Sequence, residues 1–138
     1  MHGIFGTKDR LPLINDSSKT KLYEHITKHV QEDLKCPLKI INGTDDHVHL
    51  LFLLSPNMAL KDFFQNIKGE SSHWWNQQEF SSQKFAWQIG YGAFSVSESQ
   101  VNKVEEYIRN QEEHHRKYSY QEEVEMLIKK YGLVIINR

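Results

Sequence analysis

Two histidines one residue apart, His47 and His49, lie in the stretch Asp46-His47-Val48-His49-Leu50-Leu51, which reads as a β-strand. Residues two apart in a strand share a face, so both imidazoles point to one side while Val48 points to the other. That gives two nitrogens side by side, a platform for a divalent cation. Imidazole suits zinc, manganese, nickel and, with oxygen ligands, other divalent ions, so the identity of the cation stays open. A bare His-x-His is a short motif, and taken alone it is more often a pair of half-exposed strand histidines with no ligand.

A second pair lies far along the chain. Tyr107 and Gln111 are four apart on a segment with helical periodicity, one turn from each other on the same face. A tyrosine hydroxyl, with an ordinary pKa near 10, becomes a nucleophile when a metal and nearby donors stabilise the charge that develops on the group it attacks. The Gln111 amide oxygen is a neutral third ligand for such a metal. An isolated Tyr-x-x-x-Gln is nevertheless most often a core-edge aromatic and a surface amide. His114 and His115 follow on the same face; one of them can approach a metal or a phosphate, or both can sit at a helix C-terminus whose dipole favours their protonated form. Asp46, and less so Asp45, stands next to the histidines and can orient an imidazole through its second nitrogen, or can simply solvate a turn.

The order of elements has to bring these groups together. Ile4 and Phe5 begin a short first strand almost at the start of the chain, followed by a polar turn around Lys8 to Arg10. Ser17 and Ser18 can cap a helix whose apolar stripe is Leu22, Tyr23, Ile26 and Val30. Pro37 leads into a strand, Leu38 to Asn42; Asn42, Gly43 and Thr44 to Asp46 supply turn chemistry, and His47 to Leu54 returns as the second arm of a hairpin. Met58 to about Trp75 reads as a helix with Leu60, Phe63, Phe64 and Ile67 inward and Gly69 as an interruption or bend. Phe85 to Ile89 and Ala93 to Val96 are β-prone stretches parted by Gly90, Tyr91 and Gly92. Ser97 or Ser99 caps a long helix through Val101, Val104, Tyr107, Ile108 and Gln111, and a last helix covers about Gln121 to Tyr131. The order β-α-β-β-α-β predicts an α+β fold, a ferredoxin-like split β-α-β antiparallel sheet with helices on one face and a C-terminal tyrosine-bearing helix. The other sheet face is then free for a site.

Composition limits the possible functions. The 138 residues fit one domain, and the hydrophobic (38%), aromatic (12%) and charged (25%) fractions are those of a globular chain. Cys36 is the only cysteine, which excludes an intrachain disulfide and a cysteine-built zinc site and makes a reducing, cytoplasmic setting the expectation. No apolar run approaches the roughly 20 residues of a membrane span, and the first residues lack the apolar core of a signal peptide. A net charge of −1 excludes bulk electrostatic coating of nucleic acid. Any contact with it is local, through single cations such as Lys61, Lys68, Lys84 and Arg109, and through stacking on Trp74, Trp75, Trp87 or Tyr91, although core packing accounts for most such aromatics equally well.

Four blocks occur in order: Asp46 to Leu51; Ile67-Lys68-Gly69 with Ser71-Ser72; Trp87 to Ser97; and Tyr107-Ile108-Arg109-Asn110-Gln111 with His114-His115. Together they resemble the insertion-sequence-200/605 family of transposases, single-tyrosine HUH endonucleases. The resemblance implies that His47, His49 and Gln111 bind magnesium or manganese at a scissile phosphate and that Tyr107 is the nucleophile. It also implies cleavage of single-stranded DNA to a 5′-phosphotyrosine and a free 3′-hydroxyl, recognition of hairpins near element ends, and a homodimer whose active sites are completed in trans. Asp46 is then a candidate to orient the site, and Lys68, Arg109, His114 and His115 are candidates to contact DNA. The departure from the family is at the start, where the family usually has several more residues before the Ile4–Phe5 strand; the first strand is therefore where this chain is at risk. Two other readings keep part of this evidence: a domesticated relative that processes chromosomal repeat hairpins, and a non-catalytic module that binds single-stranded nucleic acid on the open sheet face.

Overall fold

A computed structural model describes residues 1–111, 118–131 and 135–136. Strand β1 (His2–Gly6) is followed by α1 (Lys19–Lys28), the hairpin β2 (Leu38–Gly43) and β3 (His47–Phe52), α2 (Leu60–Gln78), β4 (Tyr91–Phe94), α3 (Val101–Arg109), α4 (Tyr120–Tyr131) and a two-residue β5 (Ile135–Ile136). The sheet is antiparallel with order β2-β3-β1-β4-β5, so the split β-α-β arrangement is present with one short strand added at an edge. The first strand is fully formed: β1 lies inside the sheet and pairs with β3 on one side and β4 on the other.

Alternation along the central strands makes two cores. Phe5 on β1 and Val48, Leu50 and Phe52 on β3 face α1 and α2, where Leu22, Ile26, Phe63, Phe64, Ile67 and Trp75 complete the main core. Phe52 stacks on Phe63 with ring centroids 4.2 Å apart, and Phe64 on Tyr91 at 4.1 Å. Helix α2 runs unbroken through Gly69, where the backbone has open space around it rather than a bend. Two tryptophans are core residues, Trp75 and Trp87, and the Trp87 indole donates to Ser71 Oγ at 3.0 Å. The third, Trp74, stacks on His25 at 4.1 Å. Of the two β-prone stretches after α2, the first contributes only a single bridge, Thr7 to Trp87, and the second pairs as β4.

The opposite sheet face is covered, not free. Ile4 and Phe94 pack against Tyr120, Val124 and Leu127 of α4, while Leu51 packs against Val104 and Ile108 of α3. The reason is the strong amphipathicity of both C-terminal helices: apolar residues three and four apart need a surface to bury, and this sheet face offers one. Helix α3 is shorter than the apolar spacing suggests. It ends at Arg109, and Asn110 turns away with φ −97° and ψ 27°. Asn42 holds that end, its amide donating to the carbonyls of Ile108 (2.9 Å) and Arg109 (3.0 Å), two of the acceptors a helix C-terminus leaves unsatisfied.

Candidate metal centre

The hairpin turn sets the position of the two histidines. The backbone at Gly43 approaches β3 so closely that a Cβ there would lie 2.1 Å from the His47 carbonyl oxygen, so only glycine fits. Thr44 N–H then donates to that same oxygen at 2.9 Å. His47 and His49 follow on the face covered by α3 and α4, neither with any exposed surface. Their rings lie 5.2 Å apart, edge to face.

Each ring has a different partner on its Nδ1 side. His47 Nδ1 lies 2.7 Å from Asp46 Oδ1 and 3.0 Å from Thr44 Oγ1, and Thr44 also donates to Asp46 Oδ1 at 3.1 Å. His49 Nδ1 lies 2.8 Å from Nε2 of His2. Both Nε2 atoms turn inward to one carboxylate, Glu123 on α4: His47 Nε2 is 3.0 Å from Oε2 and His49 Nε2 is 3.2 Å from Oε1. Gln111 joins the same cluster, its Oε1 3.2 Å from His47 Nε2 and its amide donating to Glu123 Oε1 at 2.9 Å. The Tyr107 hydroxyl donates to Glu123 Oε1 as well. Tyr107 and Gln111 thus reach one site although the helix breaks between them.

Burial and charge act against each other here. Burial alone would lower the His47 pKa, but hydrogen bonds and charge from Asp46 and Glu123 raise it from 6.5 to about 9. Burial would raise the Glu123 carboxyl, yet the bonds from His47 and His49 hold it well below the usual carboxylate range. His2 is held well below the ordinary imidazole range by burial first and by neighbouring His49 second. Tyr120, whose ring lies 5.0 Å from that of His47, has its hydroxyl pushed up by burial.

Ligand atoms of His47, His49 and Glu123 all lie within 4.8 Å of one another. Two imidazole nitrogens, a carboxylate oxygen and the nearby Gln111 carbonyl oxygen form a donor set that a divalent cation can share, so the residues present fit one. Without a cation Glu123 holds the cluster together, through ion pairs with both histidines and hydrogen bonds with His47, Gln111 and Tyr107.

Glu123 is the residue that sequence reading passed over. It sits among the acidic residues Glu122 and Glu125 and looks like part of a solvated face. Its signal is position: Tyr120, Val124 and Leu127 form the buried stripe of α4, and Glu123 falls inside that stripe, three residues after Tyr120. His2 was missed because its relation to His49 depends on strand register. Of the cations expected near DNA, Lys68 is drawn inward, donating to the carbonyls of Gln88 (2.8 Å) and Gly90 (2.7 Å), with burial lowering its pKa to about 8. Arg109 lies on the exposed side of α3 with Glu105 at 3.0 Å. His114 and His115 lie outside the described residues.

Comparison with known proteins gives two findings. The family described as "Transposase IS200 like" matches residues 1–111. A crystal structure assigned as a transposase, from Deinococcus radiodurans R1, superposes with a TM-score of 0.60 at 25% identity, covering 80% of this chain and 88% of that one. No curated protein matches.

Proposed function

The chain belongs to the IS200-like transposase family, and on that premise we propose that it cuts and rejoins single-stranded DNA at insertion-element ends by transesterification at Tyr107. A member of a transposase family acts on DNA; the proposal concerns the chemistry. The observation that carries it is the convergence of His47, His49, Gln111 and Tyr107 on one buried carboxylate, Glu123.

A magnesium or manganese ion held by His47, His49 and an oxygen of Gln111 or Glu123 would polarise the scissile phosphate and offset the charge that develops on it. Asp46 fixes the His47 ring with its proton on Nδ1, leaving Nε2 to face the centre. The Tyr107 oxygen attacks phosphorus as the bond to the 3′ oxygen breaks; the proton lost by the tyrosine is matched by the one taken up by the leaving oxygen, which departs as the 3′-hydroxyl while Tyr107 keeps the 5′-phosphate. Attack by a 3′-hydroxyl on this ester reverses the step and rejoins strands. Glu123 accepts the hydrogen bond of the Tyr107 hydroxyl and so orients it at the site. Both histidines and Gln111 are buried, with α4 carrying Tyr120 and Glu123 across them. Hairpins at element ends are the proposed recognition element.

Proton competition gives a pH dependence. In the cation-free chain the raised His47 pKa means that Nε2 carries a proton below about pH 9, and a cation has to displace it. Apparent Mn²⁺ affinity, measured by titration calorimetry, is therefore expected to rise with pH by roughly tenfold per unit up to about pH 9. The same pair stabilises the cation-free fold fully below pH 6.5 and loses that contribution as pH rises through about 9, so thermal stability without metal is expected to fall over that interval.

We also propose that the working form is a homodimer with active sites completed in trans, as the resemblance implies; in a single chain Tyr107 reaches the site of its own subunit. Mixing the Tyr107→Phe and His49→Ala proteins discriminates the two. Exchange of α3 rebuilds one intact site per mixed dimer, so adduct formation is expected to return to a substantial fraction of the wild-type level. Sites closed within one subunit give no recovery.

A further inference from the structure

We infer that His2 is a positioning residue for the cation site, acting through His49. The inference rests on the cation reading above. Strand β1 places His2 on the same sheet face as Ile4, beneath α3 and α4, with its ring 5.0 Å from His49, 5.8 Å from Phe94 and 6.2 Å from Tyr107. Only 1% of its surface is exposed.

An imidazole that gives its Nε2 lone pair to a cation is neutral and carries its proton on Nδ1. Buried, that N–H needs an acceptor, and for His49 the atom in place is Nε2 of His2, 2.8 Å away. His2 then has to be neutral with its own proton on Nδ1. His47 has the equivalent service from the Asp46 carboxylate, so the two histidines are oriented by different chemistry, one by a carboxylate and one by an imidazole. A neutral acceptor has an advantage at this position. Asp46 and Glu123 already bring two negative charges to the centre, and a third carboxylate beside Tyr107 would repel an incoming phosphate.

Packing alone does not call for histidine here. His2 Nδ1 finds no hydrogen-bond partner among the described residues, and a buried polar atom left without one weakens a fold. A phenyl ring would fill the space between Phe94 and Tyr107 and remove that penalty, but it would also take the acceptor away from His49 Nδ1. Stability is therefore expected to change little in His2→Phe, whereas a positioning role makes cation affinity fall.

The test is Mn²⁺ binding to the full chain by electron paramagnetic resonance, with thermal unfolding alongside, for wild type, His2→Phe, His2→Gln and His49→Ala. Gln places an acceptor oxygen near the position of Nε2. His2→Phe is expected to unfold near the wild-type temperature and to bind Mn²⁺ roughly 10–100-fold more weakly, with His2→Gln restoring most of the affinity. Wild-type affinity in His2→Phe, while His49→Ala loses binding, overturns the role of His2 and leaves the cation reading standing; no binding by wild type removes both. Should His2→Phe fail to fold, ¹⁵N spectra of the wild-type histidines with Mg²⁺ decide: a proton on His49 Nδ1 and none on His2 Nε2 is expected, and a proton on His2 Nε2 overturns the inference.

Discussion

Tyr107→Phe is expected to abolish the covalent protein–DNA adduct, by a factor on the order of 10⁴ or more, while leaving DNA affinity within a few-fold of wild type. The substitution removes one oxygen. The Tyr107 ring stays against His49, 5.7 Å away, and against the apolar contacts of Val104 and Ile108 with Leu51, so the helix keeps its seat. Glu123 loses one of its hydrogen bonds but retains those to His47 and Gln111, which keeps the carboxylate satisfied and the stability change small. The measurement is denaturing electrophoresis after incubation with single-stranded DNA and Mn²⁺, paired with a binding titration of the same proteins.

The second large effect is expected from His49→Ala. Losing a direct ligand should weaken Mn²⁺ binding by more than the roughly 10–100-fold that follows loss of an outer partner, and adduct formation should fall with it. The single substitution is the informative one. Glu123 keeps its contacts with His47 and Gln111, whereas removing both histidines would leave a buried carboxylate largely unpaired, a change that commonly costs about 3–5 kcal/mol and confuses lost binding with lost folding. Calorimetric titration with Mn²⁺, together with thermal unfolding, separates the two. Unchanged Mn²⁺ affinity in a folded His49→Ala protein would move the cation away from the two histidines.

The split β-α-β sheet was legible because its signals are local: the Asn42-Gly43 turn between two apolar strands, the stripe Leu22-Ile26-Val30, and the phenylalanines of α2 each stand in a short window. His47 and His49 were legible for the same reason, since a period of two puts them on one face without knowledge of anything else. Their burial was not, because it comes from α3 and α4 closing over a sheet face that the alternation of β1 and β3 alone leaves open. Glu123 and His2 belong to the site only through tertiary placement. Glu123 comes from a helix 74 positions beyond His49, and His2 from a strand whose register brings Ile4 opposite His49 and His2 opposite Leu51. The helix break at Asn110 was hidden because Tyr107 and Gln111 keep a spacing of four whether or not the helix continues, and the side chain that holds that end, Asn42, lies on a distant strand.

Two tyrosines border the histidines, and they differ in a way that a single measurement can use. Tyr107 is partly exposed and hydrogen-bonded to Glu123, whereas Tyr120 is buried against His47 with its hydroxyl pushed up. Mass-spectrometric mapping of the wild-type adduct formed with single-stranded DNA and Mn²⁺ is expected to find one nucleotide 5′-phosphate esterified to Tyr107. A phosphate on Tyr120 or any other residue, or cleavage with no covalent intermediate, would contradict the assignment of Tyr107 as the nucleophile.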